Sequence, residues 1–148
     1  MPHAIALETA GQALPFAIID KRSGRIAGST RFLNIAAEHR RLEIGFTFIG
    51  RFCQRSPVNT AAKLLILTHA FERLNCLRVE LKTDSLNEKS RTAIARLGAM
   101  EEGTFRNHMI IPATGRVRHT VYYSIVDSEW QAIKANLVAR LHRAAAAP

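Results

Sequence analysis

The chain has 148 residues, of which 47% are hydrophobic and 22% charged, a balance typical of one globular domain rather than of a disordered segment. No apolar run approaches the roughly 20 residues that a membrane-spanning helix needs, and the start lacks the basic and apolar regions of a secretion signal. We therefore expect a cytoplasmic protein without a membrane partner. Two cysteines are too few for a disulfide framework, and the six histidines are scattered, which argues against a metal site.

The formal net charge of +9 suits an anionic partner, either the phosphates of a cofactor or a nucleic acid. Such a charge also keeps a protein in solution without any partner. Aromatic residues make up only 7% of the chain and do not alternate with arginine along one strand. Because base-stacking surfaces need that interleaving, the composition argues against nucleic acid.

The chain as far as residue 49 predicts three antiparallel strands. An apolar run at residues 15–20, a turn at 22–24 and a second run at 25–34 indicate a hairpin. Apolar and polar residues then alternate from 41 to 48, which is the period of a half-buried strand. We expect residues 1–14 to be poorly ordered, residues 15–143 to form the domain and residues 144–148 to fray.

The rest of the chain predicts helices and strands in turn. A first helix begins at Ser56 and Pro57, residues favoured at the N-cap and first helical positions, and a second ends at Gly98. The predicted segments are a helix to residue 74, a strand at 77–83, a helix at 88–97, strands at 100–111 and 117–126, and a helix capped by Asp127 or Ser128. This order predicts a mixed α/β sheet with one right-handed parallel crossover, otherwise antiparallel, and helices on both faces.

Two polar clusters follow predicted strands and are candidate ligand sites. The turn at residues 50–59 runs from the third strand into a helix N-terminus, where free N–H groups and the helix dipole attract anions, and Arg51 and Arg55 add charge. Residues 83–91 follow the fourth strand at the sheet end where ligands bind in open α/β folds. An ordinary capped helix explains the first cluster equally well, and capping by Asn87 and Ser90 explains much of the second.

Possible proton-transfer groups are scattered along the chain and form no Ser/His/Asp or Cys/His arrangement. Dinucleotide and P-loop fingerprints are absent from the sequence. Glu43 lies on the polar side of its strand, which is also the position of an ordinary exposed glutamate. His108 and His119 are expected to face each other across the last hairpin. The remaining candidates are His69, Tyr122 and Tyr123.

Seven segments taken together resemble GNAT acetyltransferases of the RimJ/RimL-like branch, over about residues 15–137. They are RLEIG (41–45), QRSPVNTAAK (54–63), HAFE (69–72), RVELKTDSLNEKSR (78–91), RLGA (96–99), EGTFR (102–106) and YYSIVDSEW (122–130). The resemblance implies that acetyl-CoA binds in an opening between the two parallel strands. It further implies that the acetyl group passes directly to a primary amine, either a protein N-terminus or a small amine.

The resemblance also implies roles for individual residues. The cofactor pyrophosphate would lie on the loop formed by Gln54, Arg55, Ser56, Pro57, Val58 and Asn59. Asn87 would contact the pantetheine arm, Ser90 would lie near the sulfur and Arg91 near the phosphates. Glu43 is the candidate base for the amine, its strand would supply an oxyanion donor, and Ser90 or Tyr123 would protonate the leaving thiolate.

Two departures from the family pattern bear on activity. Pro57 and Asn59 replace loop glycines, and Pro57 has no N–H to offer a phosphate. The family also has a strand and one or two helices before the hairpin, which form a wall of the acceptor site, and we expect this chain to lack them. A truncated product, a fragment and a form completed by dimerisation all stay open.

The predicted absence of those elements favours two further hypotheses. A non-catalytic acyl-CoA-binding remnant is the first alternative to an acetyltransferase, and a basic ribosome- or RNA-associated module is the second. The first strand would become a sheet edge carrying Phe16, Ile18 and Ile19, and such an apolar edge invites pairing with another chain. We therefore expect a homodimer through the N-terminal hairpin.

Overall fold

The computed structural model describes residues 13–146, in which six strands and three helices follow the predicted order. The elements are β1 (Ala13–Asp20), β2 (Arg25–Ala36), β3 (Arg41–Ile49), α1 (Val58–Thr68), β4 (Arg78–Asp84), α2 (Glu88–Ala95), β5 (Met100–Ile110), β6 (Val117–Val126) and α3 (Asp127–Ala146). Most of the segment expected to be poorly ordered lies outside the described residues. Ala13 and Leu14 already belong to β1, and α3 continues to Ala146. Within the described chain, no helix has both the length and the apolar character needed to cross a membrane.

The strands form one sheet in the order β1-β2-β3-β4-β6-β5. β3 and β4 are parallel, and all the other neighbours are antiparallel, as the sequence predicted. The parallel pair is joined by α1, since parallel neighbours need a crossover rather than a tight turn. The crossover places the ends of β3 and β4 beside the start of α1.

The core lies between the sheet and the helices. Alternate residues of the strands, such as Leu42, Val79 and Tyr123, belong to the same buried cluster as Leu67 of α1 and Leu137 of α3. Because side chains alternate across a strand, these residues share one face of the sheet. Ile94 of α2 belongs to this cluster too, so all three helices cover one face and the expectation of helices on both is wrong for residues 13–146.

The ends of α1 differ slightly from the prediction. The helix begins at Val58, with Pro57 in the cap position, and the Ser56 hydroxyl accepts a hydrogen bond from the Val58 N–H at 3.3 Å. Ser56 therefore caps the first turn from one residue earlier than expected. At the other end, α1 widens into a π-helical turn at His69–Arg73, a form that hydrophobic periodicity does not distinguish from α-helix.

Among residues 13–146, β1 lies at the edge of the sheet, and an apolar groove lies between it and α1. The groove has a volume of about 680 Å³ and is lined by residues of β1, α1 and the end of α3, including Phe16, Leu65 and Leu141. Ile18 is buried, whereas Ile19 is 60% exposed at the edge. The side chain available to a second copy of the chain is therefore Ile19 rather than Ile18.

If two copies associate through β1, Ile19→Lys should convert a dimer to a monomer, because a lysine charge on an edge strand opposes pairing. Light scattering at micromolar concentration measures this change. Leu86→Lys, at an exposed leucine near the start of α2, is the matched control and should leave the mass unchanged. A wild-type protein that is monomeric throughout would contradict the expected homodimer.

Candidate functional site

The two parallel strands diverge halfway along their length. They pair only at Arg41 with Arg78, Leu42 with Val79 and Glu43 with Glu80. Beyond this point β3 is bulged. Its register against β2 shifts, and Phe46 adopts a left-handed φ of 47°. A bulge bends its strand and leaves backbone groups unpaired, so this half of β3 lines an opening toward β4.

Glycine at position 45 keeps the start of this opening free of side-chain atoms. A Cβ at that position would lie 2.8 Å from Leu33 Cδ1 and 3.2 Å from Glu43 Oε1. Any larger residue would therefore displace the Glu43 carboxylate or its neighbour. The Gly45 position and the orientation of Glu43 are consequently linked.

The turn between β3 and α1 lies at the open end of this gap. Gln54 Nε2 donates to the Ile49 carbonyl at 3.1 Å, and the Ser56 hydroxyl donates to the Cys53 carbonyl at 2.6 Å, so the turn is held by its own side chains. The first N–H groups of a helix lack partners within the helix. The Ser56 hydroxyl accepts the hydrogen bond of the Val58 N–H, so the N–H groups of Asn59 and Thr60 remain available to an anion. Arg55 is exposed beside them, with a left-handed φ of 60°.

The start of α2 lies next to this turn. Asn87 caps α2 by accepting a hydrogen bond from the Ser90 N–H at 3.0 Å. Lys89 Nζ donates to Gln54 Oε1 at 2.9 Å and so joins α2 to the turn. The sequence predicted a ligand site in the segment at 83–91, which contains Lys89, but it did not predict a role for Lys89 itself. The basic group of α2 that contacts the turn is thus Lys89.

Arg91 extends toward β6 and β5 instead. Its Nε donates to the Tyr123 hydroxyl at 3.3 Å, and its guanidinium lies 3.5 Å from the Glu101 carboxylate. Burial raises the pKa of the Tyr123 phenol, and the hydrogen bond from Arg91 offsets part of that effect. Tyr123 therefore keeps its proton at neutral pH. Ser90 is half-buried on the same helix.

Glu43 is buried on the opposite face of the sheet from Tyr123. Its Oε2 atom accepts from Asn34 Nδ2 at 2.7 Å and from Lys82 Nζ at 2.7 Å. Burial by itself would lower the pKa of Lys82, but the hydrogen bond and charge of Glu43 outweigh it and raise that pKa. Lys82 is therefore protonated at neutral pH. The structure does not bring Glu43 and Tyr123 into contact, because Tyr123 lies on β6, on the opposite face of the sheet.

An aromatic cluster lies beside Lys82, on the face of the sheet opposite the helices. Lys82 Nζ lies 4.9 Å from the Tyr122 ring centroid, and the Tyr122 and Phe105 rings lie 4.2 Å apart with their planes tilted by 30°. His108 and His119 do not face each other as expected, because β5 bulges between Phe105 and Met109. His108 contacts the Thr120 hydroxyl instead, and His119 accepts from the Asn107 N–H.

A buried lysine near the site, Lys63, was not among the functional residues predicted from the sequence. Lys63 of α1 is 6% exposed, and its Nζ donates to the Thr47 hydroxyl at 2.7 Å. Burial lowers the pKa of Lys63 to about 8. In the sequence, Lys63 stands among apolar residues of a helix, where a lysine ordinarily extends to the solvent.

Known proteins share this fold and sequence pattern. The family described as "Acetyltransferase (GNAT) domain" matches residues 2–100. A protein of Bacillus subtilis (strain 168) named "Putative ribosomal N-acetyltransferase YdaF" is 33% identical over 111 residues, which are 75% of this chain and 59% of that protein. This chain thus spans less than two thirds of the length of that relative.

Solved structures are similar over nearly the whole chain, as two examples show. One is described as a putative acetyltransferase from T. thermophilus, with 38% identity, a TM-score of 0.84 and coverage of 95% of this chain and 72% of the other. The second is Mycobacterium smegmatis RimJ in complex with CoA-disulfide, with 26% identity, a TM-score of 0.79 and coverage of 94% and 65%. The mixed, mostly antiparallel sheet predicted from the sequence is the fold of these proteins.

Proposed function

Because the chain belongs to the GNAT acetyltransferase domain family, we propose that it transfers an acetyl group from acetyl-CoA to a primary amine. The observation that carries the proposal is the divergence of β3 and β4 after Glu43 and Glu80, directly before the turn into α1. This arrangement offers a narrow gap for an extended arm and, at its end, free N–H groups for phosphates. The solved RimJ complex with CoA-disulfide supports the same class of donor.

The turn residues are proposed to hold the cofactor pyrophosphate. Gln54, Arg55, Ser56, Val58 and Asn59 form that turn, and the free N–H groups of Asn59 and Thr60 compensate for the missing N–H of Pro57. Lys89 adds a positive charge within reach, since it already contacts Gln54. Asn87 and Ser90 would meet the pantetheine arm from α2. Arg91 would approach the cofactor while remaining bound to Tyr123.

The proposed reaction uses groups on both faces of the sheet. The amine nitrogen attacks the thioester carbon, a new C–N bond forms, and the C–S bond breaks. Glu43 takes the amine proton through Oε1, the oxygen that neither Asn34 nor Lys82 engages. The unpaired backbone of β3 offers N–H groups to the carbonyl oxygen as it becomes negative. Tyr123, or Ser90, gives a proton to the thiolate.

We propose a protein N-terminus as the acceptor, ahead of small amines. YdaF carries the words "ribosomal N-acetyltransferase" in its name, and it is 33% identical to this chain. An assay of acetyl-CoA consumption over a panel of peptides and small amines tests the proposal. Faster consumption with peptides than with small amines supports it, and consumption with small amines alone would overturn this choice of acceptor. Binding of acetyl-CoA without turnover on any acceptor would favour a non-catalytic acyl-CoA-binding protein.

Acetyl-CoA at about 100 times its Kd should raise the melting temperature by roughly 5–10 °C, because a ligand that binds only the folded state stabilises it. Arg55→Ala should reduce this shift, and more so at low salt, since its exposed charge is screened by ions. Arg22→Ala, in the exposed β1–β2 turn, is the control and should leave the shift unchanged. A shift with RNA but none with acetyl-CoA would contradict the proposed donor.

A further inference from the structure

Lys63 is a buried ammonium group placed behind the turn that precedes α1. It lies five residues after Val58, so its Cα is about 7–8 Å further along the helix axis. Side chains of a helix lean toward its N-terminus, which directs the amine back toward the turn. There it meets Thr47 of β3, whose hydroxyl lies 2.9 Å from the Thr30 hydroxyl. The amine thus sits where the bulged half of β3 packs against the first turns of α1.

Within the described part of the chain, this amine is surrounded by hydroxyl groups rather than by a counter-charge. From β2 and β3, the groups near it are the hydroxyls of Thr30 and Thr47. Within residues 13–146, no carboxylate lies within 4 Å of its Nζ, and burial is the sole cause of its lowered pKa. A buried ion without a counter-charge is costly, so the ligand-free site is electrostatically incomplete.

A second buried polar group on the same face of α1 lacks a hydrogen-bond partner. Asn59 is one helical turn before Lys63, on the same face of α1, and its Oδ1 atom is buried without a hydrogen bond. Buried polar atoms are nearly always hydrogen-bonded, so each exception calls for an explanation. Within residues 13–146, Thr47 is the hydrogen-bond partner of Lys63 and Asn59 Oδ1 has none, so a ligand could supply an anion to the ammonium and a separate donor to the amide oxygen.

We infer that Lys63 is the buried counter-charge for the anionic part of the bound cofactor and that it takes up a proton when the cofactor binds. This inference rests on the proposed function. The anion at the turn would face the ammonium across about one and a half turns of helix, with little water between them, so the attraction is weakly screened. An anion nearby favours the charged form of a lysine, and the folded protein should therefore bind a proton together with the ligand.

The proton can be counted by calorimetry. Acetyl-CoA, which has no free thiol, is titrated into the full chain at pH 8.5 in three buffers of different ionisation enthalpy. The wild type should take up about 0.5–0.8 protons per ligand, and its Kd should weaken about five- to tenfold between pH 7.5 and pH 9. Lys63→Met should take up almost none and show less than a twofold change in Kd over that range. Lys21→Met, an exposed lysine of the β1–β2 turn, should behave like the wild type.

The possible outcomes separate this inference from the proposed function. Binding without proton uptake, or equal uptake by the wild type and Lys63→Met, overturns the role of Lys63 and leaves the cofactor proposal intact. Uptake without acetyl transfer to any acceptor supports the role of Lys63 and overturns the proposed reaction. Absence of acetyl-CoA binding by the wild type overturns both. Lys63→Gln, which keeps a polar group beside Thr47, should repeat the loss of uptake and excludes an artefact of the Met side chain.

Discussion

Replacing Glu43 with glutamine should lower turnover by about 100-fold or more while leaving the affinity for acetyl-CoA unchanged. The substitution keeps the size of the side chain but removes its ability to accept a proton, and general-base catalysis contributes about 10²- to 10⁴-fold. Glu43 is buried beside the point where β3 and β4 separate, and its Oε1 atom is adjacent to Gly45. Steady-state kinetics on an acceptor from the peptide panel, together with calorimetric binding, measure both quantities.

The matched control for this substitution is Glu80→Gln. Glu80 pairs in register with Glu43, but its carboxylate is held by ion pairs with Arg78 at 3.0 Å and Arg41 at 3.5 Å. Its loss should therefore leave turnover close to that of the wild type once the folded fractions are equal. Equal turnover of Glu43→Gln and the wild type would transfer the role of base to another group or to water.

The alternation of residues along β3 explains why the sheet could be predicted. Leu42 and Ile44 are buried on one face of the sheet. Because successive side chains of a strand point to opposite faces, Glu43 between them must lie on the other face. The change from period two to a helical period after residue 50 likewise predicted the crossover and hence the parallel pair. These signals are local, and a sequence contains them directly.

The placement of helices on one face depends on packing that no local pattern records. Ile94 of α2 and Trp130 of α3 would look equally apolar on either side of a sheet. The bulge at Phe46 was not predicted either, because an alternating strand and a bulged one differ by a single residue in register. For the same reason the predicted contact between His108 and His119 was wrong, since the bulge in β5 moves them out of register.

The positions of the candidate residues in the fold were predicted better than their contacts, whereas their roles stay predictions. Asn87, Ser90 and Arg91 follow β4, as the position of the polar segment suggested. The partner of Arg91, however, depends on side-chain reach between α2 and β6, which sequence spacing does not determine. Lys63 was missed because its burial results from β3 crossing beneath α1, and the sequence alone gives no reason to separate it from solvated lysines.

Lys63→Met should stabilise the ligand-free protein at pH 7 by about 3 kcal/mol. Burial lowers the pKa of Lys63 from its ordinary value of 10.5 to about 8, and each pKa unit corresponds to about 1.4 kcal/mol. Below pH 8 the folded state carries an ammonium that the unfolded state solvates better, so the wild type bears the full penalty there. Loss of the hydrogen bond to Thr47 offsets a small part of the gain, since the threonine hydroxyl still pairs with Thr30.

The pH dependence distinguishes this explanation from better packing by methionine. As the pH rises from 8 to 10.5, the unfolded state of the wild type retains its proton while the folded state has lost it, so wild-type stability increases relative to the variant. The advantage of Lys63→Met should therefore shrink from roughly 6–12 °C in melting temperature at pH 7 toward zero near pH 10. Thermal melts of both proteins at pH 7, 8.5 and 10 measure this difference in melting temperature, and denaturant titrations measure the difference in free energy of unfolding. Lys21→Met is the control of unchanged stability. A constant advantage at all three pH values would show that the charge of Lys63 carries no penalty, and the buried amine could not then serve as a counter-charge awaiting its anion.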